Sequence, residues 1–206
     1  MALQVQTLPV GMLEVNCYLA WDPSTARGVI IDPGDDAADI VAAVTAAGFT
    51  PVAVVLTHGH VDHIRAVGEV CRRFGIAVFI HPAERQLYLS PLNALLPWLP
   101  AATDLPEPLP EAVDGFGLGI EVLPTPGHTP GCVCFRIPAA GVLFSGDTLF
   151  CGGVGRTDLP GGSLTDLERS LREVLYVLPA ETRVYPGHGA PTTIGSERRS
   201  NPFVRP

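Results

Sequence analysis

The stretch from Pro51 to Leu56 is an apolar run without alternation, and it ends abruptly in Thr57-His58-Gly59-His60-Val61-Asp62-His63. An unbroken apolar run of this length reads as a central strand covered on both faces. Beyond it, Ile64, Val67, Val70, Cys71 and Phe74 recur at helical spacing up to Gly75. Four potential metal ligands (His58, His60, Asp62 and His63) therefore fall within six residues, where a buried strand gives way to a helix. Borderline metals such as zinc favour imidazole nitrogen, with carboxylate oxygen as the usual second choice. Two isolated histidines, His128 and His188, each stand in a Pro-Gly-His turn far downstream, and Asp147 lies between them in Ser145-Gly146-Asp147-Thr148. The set predicts a metal centre, and a dinuclear one. His81, which precedes Pro82 with no ligand candidate nearby, reads as an ordinary hydrogen-bonded histidine.

Around that cluster the pattern is mixed. Strand-like runs at Leu3 to Leu8, Asn16 to Trp21 and Gly28 to Ile31 lead to the strong turn Asp32-Pro33-Gly34-Asp35. A helix follows with Ile40, Val41 and Val44 on one face, ending at Gly48, and Ile76 to Ile80 is a further buried strand. Ser90 to Pro110 holds six prolines, too many for regular structure beyond a short helix. Its leucines and Trp98 must pack on something, and a loop covering its own domain is the expected role; pocket lining or a homodimer contact are the alternatives. The second half repeats the theme, with strands at Gly119 to Leu123, Cys132 to Ile137 and Gly141 to Phe144. Ser163-Leu164-Thr165-Asp166 resembles a capping box, opening a helix with the stripe Leu164, Leu167, Leu171, Val174, Leu175 and Leu178. Thr182 to Tyr185 is a last short strand, ending at Pro186-Gly187-His188. Two sheets face to face with helices outside are expected, in a single domain over residues 1–206. Each ligand candidate then sits just past a strand, aimed at the crevice along the sheet edges.

The chain's net charge of -8 excludes a general nucleic-acid binder, which needs a basic surface. A content of 47% hydrophobic and 17% charged residues argues against disorder. Neither a signal-peptide pattern nor a membrane-length apolar stretch is present, so the cytoplasm is the expected compartment. Five cysteines without a C-x-x-C pair read as buried thiols rather than a disulfide framework. Cys151, close after Asp147, is the one that could approach the site.

The residues Thr57 to His63, with His128, Asp147 and His188, resemble the metallo-β-lactamase-fold hydrolases over nearly the whole chain. Within that superfamily they are most similar to the glyoxalase II-like (hydroxyacylglutathione hydrolase-like) group, and to its short bacterial YcbL-type proteins. The residues that narrow it are Gly146-Asp147-Thr148-Leu149-Phe150, the run Gly155 to Gly162, Pro186-Gly187-His188-Gly189, Thr192 to Gly195 and Asn201-Pro202-Phe203. The resemblance implies a four-layer αββα sandwich. It also implies that His58, His60 and His128 bind one metal, that Asp62, His63 and His188 bind a second, and that Asp147 bridges them. Two divalent ions, zinc first with iron or manganese as alternatives, would share a hydroxide that attacks a thioester carbonyl, with Asp62 and Asp147 the catalytic carboxylates.

S-lactoylglutathione or a related small thioester is the implied substrate. Arg156 occupies the basic position that grips the thiol part in larger relatives, where it could equally be a structural arginine tying a loop. Three departures weigh against glutathione recognition in its usual form: Ala190 and Asp158 stand where tyrosines are expected, and no C-terminal helical domain follows. A fourth is Arg65, where glycine is common. Other readings of the same residues are a persulfide dioxygenase, with one iron on His58, His128 and Asp147, and a non-catalytic binding module. β-Lactam hydrolysis would normally bring secretion and a cysteine at the position of Asp147.

Overall fold

The computed structural model describes residues 2–110 and 114–205. They form two compact units, residues 1–119 and 120–206. The first unit opens with β1 (Gln4–Val10), β2 (Val15–Asp22) and β3 (Arg27–Ile31), followed by α1 (Ala37–Ala47) and β4 (Thr50–Leu56). Two helices, α2 (Val61–Ile64) and α3 (Val67–Phe74), then lead to β5 (Ala77–Ile80) and the short α4 (Arg85–Tyr88). The sheet runs in the order β1-β2-β3-β4-β5, antiparallel up to β3 and parallel from β3 to β5.

The apolar run of β4 is buried on both faces, as its lack of alternation predicts. Val54 and Leu56 join Ile30, Val78 and Ile80 in one core with Ile40 and Val44 of α1 and Val67, Val70 and Cys71 of α3. On the opposite face Val29, Ile31, Val55 and Phe79 are also buried. Burying a side chain of this size contributes roughly 1.5–3 kcal/mol, so these two layers dominate the unit's stability.

The spacing after His63 predicts one helix, and the structure has two. The chain breaks at Arg65 and Ala66, where the Ala66 amide donates to the carbonyl of Pro33 (3.0 Å). The turn at residues 32–35 is wedged there. A Cβ on Gly34 would lie 1.7 Å from the Asp62 carbonyl oxygen, an approach only glycine permits. Arg65 lies 3.5 Å from Asp35 in an exposed ion pair.

The Pro-rich segment is a covering loop, as expected, anchored rather than loose. Buried Asn93 donates to the carbonyls of Tyr88 and Ala102 and accepts from the Ala102 amide. Leu99 is buried, Leu105 packs on the core, and Leu96 and Trp98 are exposed. The Leu109 amide donates to the Val78 carbonyl, extending the edge of β5.

The second unit contains β6 (Glu121–Pro124), β7 (Val133–Ile137), β8 (Val142–Gly146), and the two-residue strands β9 (Leu149–Phe150) and β10 (Gly153–Val154). It continues with α5 (Leu164–Arg169), β11 (Arg183–Pro186), β12 (Thr192–Thr193) and α6 (Ile194–Ser200). Its five-stranded sheet has the order β12-β11-β8-β7-β6, with β8 and β11 parallel. Ser163 caps α5 by accepting from the Asp166 amide at 3.2 Å, as the sequence predicts. Past Arg169 the helix widens into a π-turn, and the Tyr176 amide donates to the Leu171 carbonyl five residues back. Leu167, Leu171 and Leu175 fill the core against Cys134, Leu143 and Val184, whereas Leu164 leaves the expected stripe and is exposed. Among the described residues no helix is long and apolar enough to cross a membrane.

Candidate functional site

In the first unit the parallel pairing of β3 with β4 sets Asp32, one residue past β3, beside Thr57, one residue past β4. The Asp32 carboxylate is buried. Its Oδ1 accepts from the Thr57 amide (2.8 Å), and its Oδ2 accepts from the Thr57 hydroxyl (2.7 Å) and lies 3.0 Å from Nδ1 of His63. Thr57 Oγ1 is also 3.1 Å from Nδ1 of His58. The single hydroxyl proton of Thr57 is committed to Asp32, so its oxygen accepts from His58 Nδ1–H. One carboxylate thus fixes two rings, His63 directly and His58 through Thr57. In each neutral ring the lone pair then resides on Nε2. A metal-bound histidine requires this arrangement, with its other nitrogen held by a carboxylate, hydroxyl or carbonyl.

His58, His60, Asp62 and His63 are all buried. The ring centroid of His58 lies 4.9 Å from that of His60 and 4.2 Å from that of His63. His63 Nε2 is 3.8 Å from Asp62 Oδ2. Glu84, fully buried, accepts from the Gly59 amide at 2.9 Å and pins the loop between His58 and His60.

In the second unit Asp147 follows β8 and His188 follows β11, at the carboxyl ends of parallel neighbours, where α/β sheets present ligands. The Gly187 amide donates to the Gly146 carbonyl at 2.8 Å and ties the two turns together. His128 sits in the turn between β6 and β7, and its Nδ1 is 2.7 Å from the Arg156 carbonyl oxygen. A carbonyl can only accept, so this ring too carries its proton on Nδ1 and its lone pair on Nε2. A single oxygen, Oδ2 of Asp147, lies 3.6 Å from Nε2 of His128 and 3.7 Å from Nε2 of His188.

The donor set fits a divalent ion. Separations of 3.6 to 3.8 Å are too long for direct hydrogen bonds. They lie close to the roughly 3.3–3.6 Å between two tetrahedral ligand atoms that each sit about 2.0–2.2 Å from a shared ion. The tautomers agree, since His63, held at Nδ1 by Asp32, directs Nε2 at Asp62, and His128, held at Nδ1 by the Arg156 carbonyl, directs Nε2 at Asp147. Each unit thus brings its own sequence-predicted ligands together: His58, His60, Asp62 and His63 in one, His128, Asp147 and His188 in the other.

Arg156 behaves as a loop residue at this site. Its guanidinium makes a bidentate pair with Asp158, Nε to Oδ1 at 2.7 Å and Nη2 to Oδ2 at 2.8 Å. His81 accepts from the Ala83 amide, the ordinary role expected of it. Four cysteines are buried, and burial pushes the Cys71 and Cys134 thiols up to about 11. Cys151 departs from the expectation of buried thiols, because the β9–β10 turn holds it in solvent. Sequence reasoning missed Asp32, Thr57 and Glu84. Asp32 was masked by its turn-forming Asp-Pro-Gly context, although it occupies the same strand-to-loop position as the ligands.

The chain belongs to the metallo-beta-lactamase superfamily, whose family model matches residues 10–188. It is 35% identical to hydroxyacylglutathione hydrolase GloC of Haemophilus influenzae over 216 residues, covering 98% of both chains. Among solved structures it resembles BLEG-1 B3 metallo-beta-lactamase with a TM-score of 0.88 and 37% identity, over 98% of this chain and 99% of that one. A di-iron-bound form of TTHA1623 gives 0.85 and 40%, over 97% and 100% of the two chains. ETHE1 from Myxococcus xanthus gives 0.79 and 31%, over 98% and 84%. The fold is therefore the metallo-β-lactamase fold, with mixed α/β content and sheets flanked by helices. Relatives with different names share it, so similarity fixes the superfamily, and the choice of group and metal falls to individual residues.

Proposed function

We propose that the chain is a cytoplasmic, metal-dependent thioester hydrolase of glyoxalase II type, acting on S-lactoylglutathione or a related small thioester. In this reading His58, His60 and His128 would hold one divalent ion, and Asp62, His63 and His188 would hold a second. Asp147 would contribute to both, and zinc would be the first choice of metal. The observation that carries it is Asp147 Oδ2, one carboxylate oxygen standing between the Nε2 atoms of His128 and His188. When bound, the ions supply Lewis acidity, bringing the pKa of water down toward roughly 7 and polarising a carbonyl.

The remaining work falls to the chain. Asp32 and Thr57 hold the His58 and His63 rings in the required tautomer, and the Arg156 carbonyl does the same for His128. The buried Asp62 carboxylate, beside His63 Nε2, would accept the proton that an attacking water loses. A thiolate leaves without a dedicated acid, its conjugate thiol having a pKa of roughly 8.5 in cysteine. This asymmetry favours a thioester over an amide, whose nitrogen would need a proton donor.

A second reading is a persulfide dioxygenase with one iron on His58, His128 and Asp147; the di-iron-bound form of a 40% identical relative supports iron as a metal, though with two ions rather than one. One set of assays separates the candidates. Protein loaded with zinc or with iron is given S-lactoylglutathione, nitrocefin, and glutathione persulfide with oxygen uptake monitored. Thioester cleavage that is lost in a folded His58→Ala variant is the expected result. Oxygen uptake or nitrocefin turnover without thioester cleavage refutes the reading.

A further inference from the structure

The run from Thr192 to Asn201 contributes no ligand, yet it carries a buried carboxylate that the hydrolytic reading does not use. Glu197 on α6 is buried. Its Oε1 accepts from the Thr192 hydroxyl at 2.6 Å, and its Oε2 accepts from the Gly152 amide at 3.0 Å and from Asn201 Nδ2 at 2.9 Å. Asn201 also donates to the Gly153 carbonyl at 3.1 Å, so α6 grips the β9–β10 turn with two side chains. A carboxylate is costly to bury unless its oxygens are bonded. Here the bonds go to two segments remote from the helix interior, and both segments flank His188.

On one flank, the chain leaves His188, turns through Gly189 (φ +77°) and returns antiparallel to β11, where Thr192 pairs with Val184. Thr192 thus closes the loop that begins at the ligand. On the other flank, the β9–β10 hairpin sets the Phe150 ring edge-on to the His188 ring, with centroids 6.1 Å and planes 81° apart. The helix that joins the flanks is itself firmly seated. Thr193 caps it by accepting from the Ser196 amide at 3.2 Å, and the Gly195 amide donates to the Ala180 carbonyl at 2.8 Å. A Cβ on Gly195 would lie 2.8 Å from that same oxygen, an approach that excludes larger residues.

The His188 side chain is 30% exposed, whereas His58, His60, His63 and His128 are buried. Surrounding side chains confine the buried rings. A ring open to solvent on one side depends instead on the elements beside and behind it. We propose that Glu197 is a positioning residue for His188: it fixes the loop behind the ring and the hairpin beside it, and so sets where the imidazole meets Asp147. This rests on the dinuclear metal reading above and deepens it. Asp32 acts on its histidines through their ring nitrogens, whereas Glu197 acts through the placement of backbone. Support of this kind keeps a ligand within the narrow range of positions that metal binding requires.

Cobalt(II) titration of the metal-free protein, in competition with a chromophoric chelator, measures the affinity of each ion. Wild-type protein should take up two ions, and His188→Ala identifies the one that His188 serves. The two Glu197 oxygens accept three hydrogens, and glutamine supplies one oxygen, so Glu197→Gln sets an NH2 group against at least one donor. Thr192→Val removes one arm of the clamp. Each should weaken the His188 ion by about ten-fold, the lower end of what outer support of a ligand contributes, and leave the other within two-fold. Thr193→Ala, which deletes the cap of the same helix, is the control: it should lower the melting temperature and leave both affinities within two-fold. Unchanged affinities in Thr192→Val and in a folded Glu197→Gln overturn the proposal; should Glu197→Gln not fold, Thr192→Val alone decides. An equal loss in Thr193→Ala also overturns it, because helix stability alone would then explain the effect. So does weakening confined to the ion that His188→Ala spares. Two ions bound alike by wild type and clamp variants sink this inference alone. Wild-type protein that binds no cobalt, or binds one ion that His188→Ala leaves unchanged, sinks the dinuclear reading and this inference with it.

Discussion

Replacing Asp32 with asparagine tests whether a residue outside the ligand set governs metal binding. The backbone at this position has φ of 49°, a left-handed conformation that asparagine tolerates, so the change alters chemistry with little added strain. The two carboxylate oxygens accept three protons, from the Thr57 amide, the Thr57 hydroxyl and His63 Nδ1. An amide group supplies only one oxygen. If it faces the Thr57 amide, the NH2 group faces His63 Nδ1 and drives that ring to the wrong tautomer. If it faces His63, two N–H donors oppose each other at Thr57. Losing the outer support of a ligand histidine costs 10–100-fold in metal affinity, or about 1.4–2.7 kcal/mol. The stranded buried donor costs about 1–3 kcal/mol of stability. Zinc competition against a chromophoric chelator reads the first quantity, and thermal unfolding of the chelator-treated protein reads the second. Metal affinity within two-fold of wild type would show that Asp32 does not set the ring tautomers.

Further substitutions probe the packing around the site. Gly155→Ala, whose Cβ would lie 1.8 Å from the Asp147 carbonyl oxygen, should lower stability by about 1–3 kcal/mol and weaken metal binding; an unchanged melting curve counts against that contact. Glu84→Leu removes the buried acceptor of the Gly59 amide and should cost about 1–3 kcal/mol in denaturant unfolding, while Glu84→Gln, which keeps an oxygen there, should recover most of it. Iodoacetamide should label one thiol, Cys151, in the native protein, and mass spectrometry showing modification of Cys17, Cys71, Cys132 or Cys134 would contradict their burial. The Asp158 carboxyl is held at about 2, below its ordinary 3.8, so the contribution of its pair to stability is present above the ordinary value and lost as pH falls through about 2. Its carboxyl carbon shift should accordingly report an ionised group at about pH 3, where a free aspartate would be mostly protonated.

The candidate ligands were legible because metal chemistry demands particular side chains. His58, His60, Asp62 and His63 announce themselves in any fold, and the uniform apolar character of Pro51 to Leu56 places them past a buried strand. The supporting residues were not legible for the opposite reason. Asp32 and Thr57 are common turn and strand-end residues, and only the parallel register of β3 and β4 makes them partners of two histidines. The helix break at Arg65 and Ala66 escaped notice because it depends on a remote carbonyl, that of Pro33, and not on a local breaker. The π-turn after Arg169 is invisible to periodicity, since Leu167, Leu171 and Leu175 keep a four-residue spacing through it. The hairpin of β9 and β10 is two residues per strand, too short for any alternation to register.

One position divides its labour between main chain and side chain. The carbonyl of residue 156 supports His128, and every amino acid carries that carbonyl. The side chain of the same residue faces solvent and answers to Asp158. Support of the His128 ring at this position is therefore independent of which side chain residue 156 carries. Changes at residues 156 and 158 can alter the exposed charge there while the carbonyl that fixes the His128 tautomer stays in place.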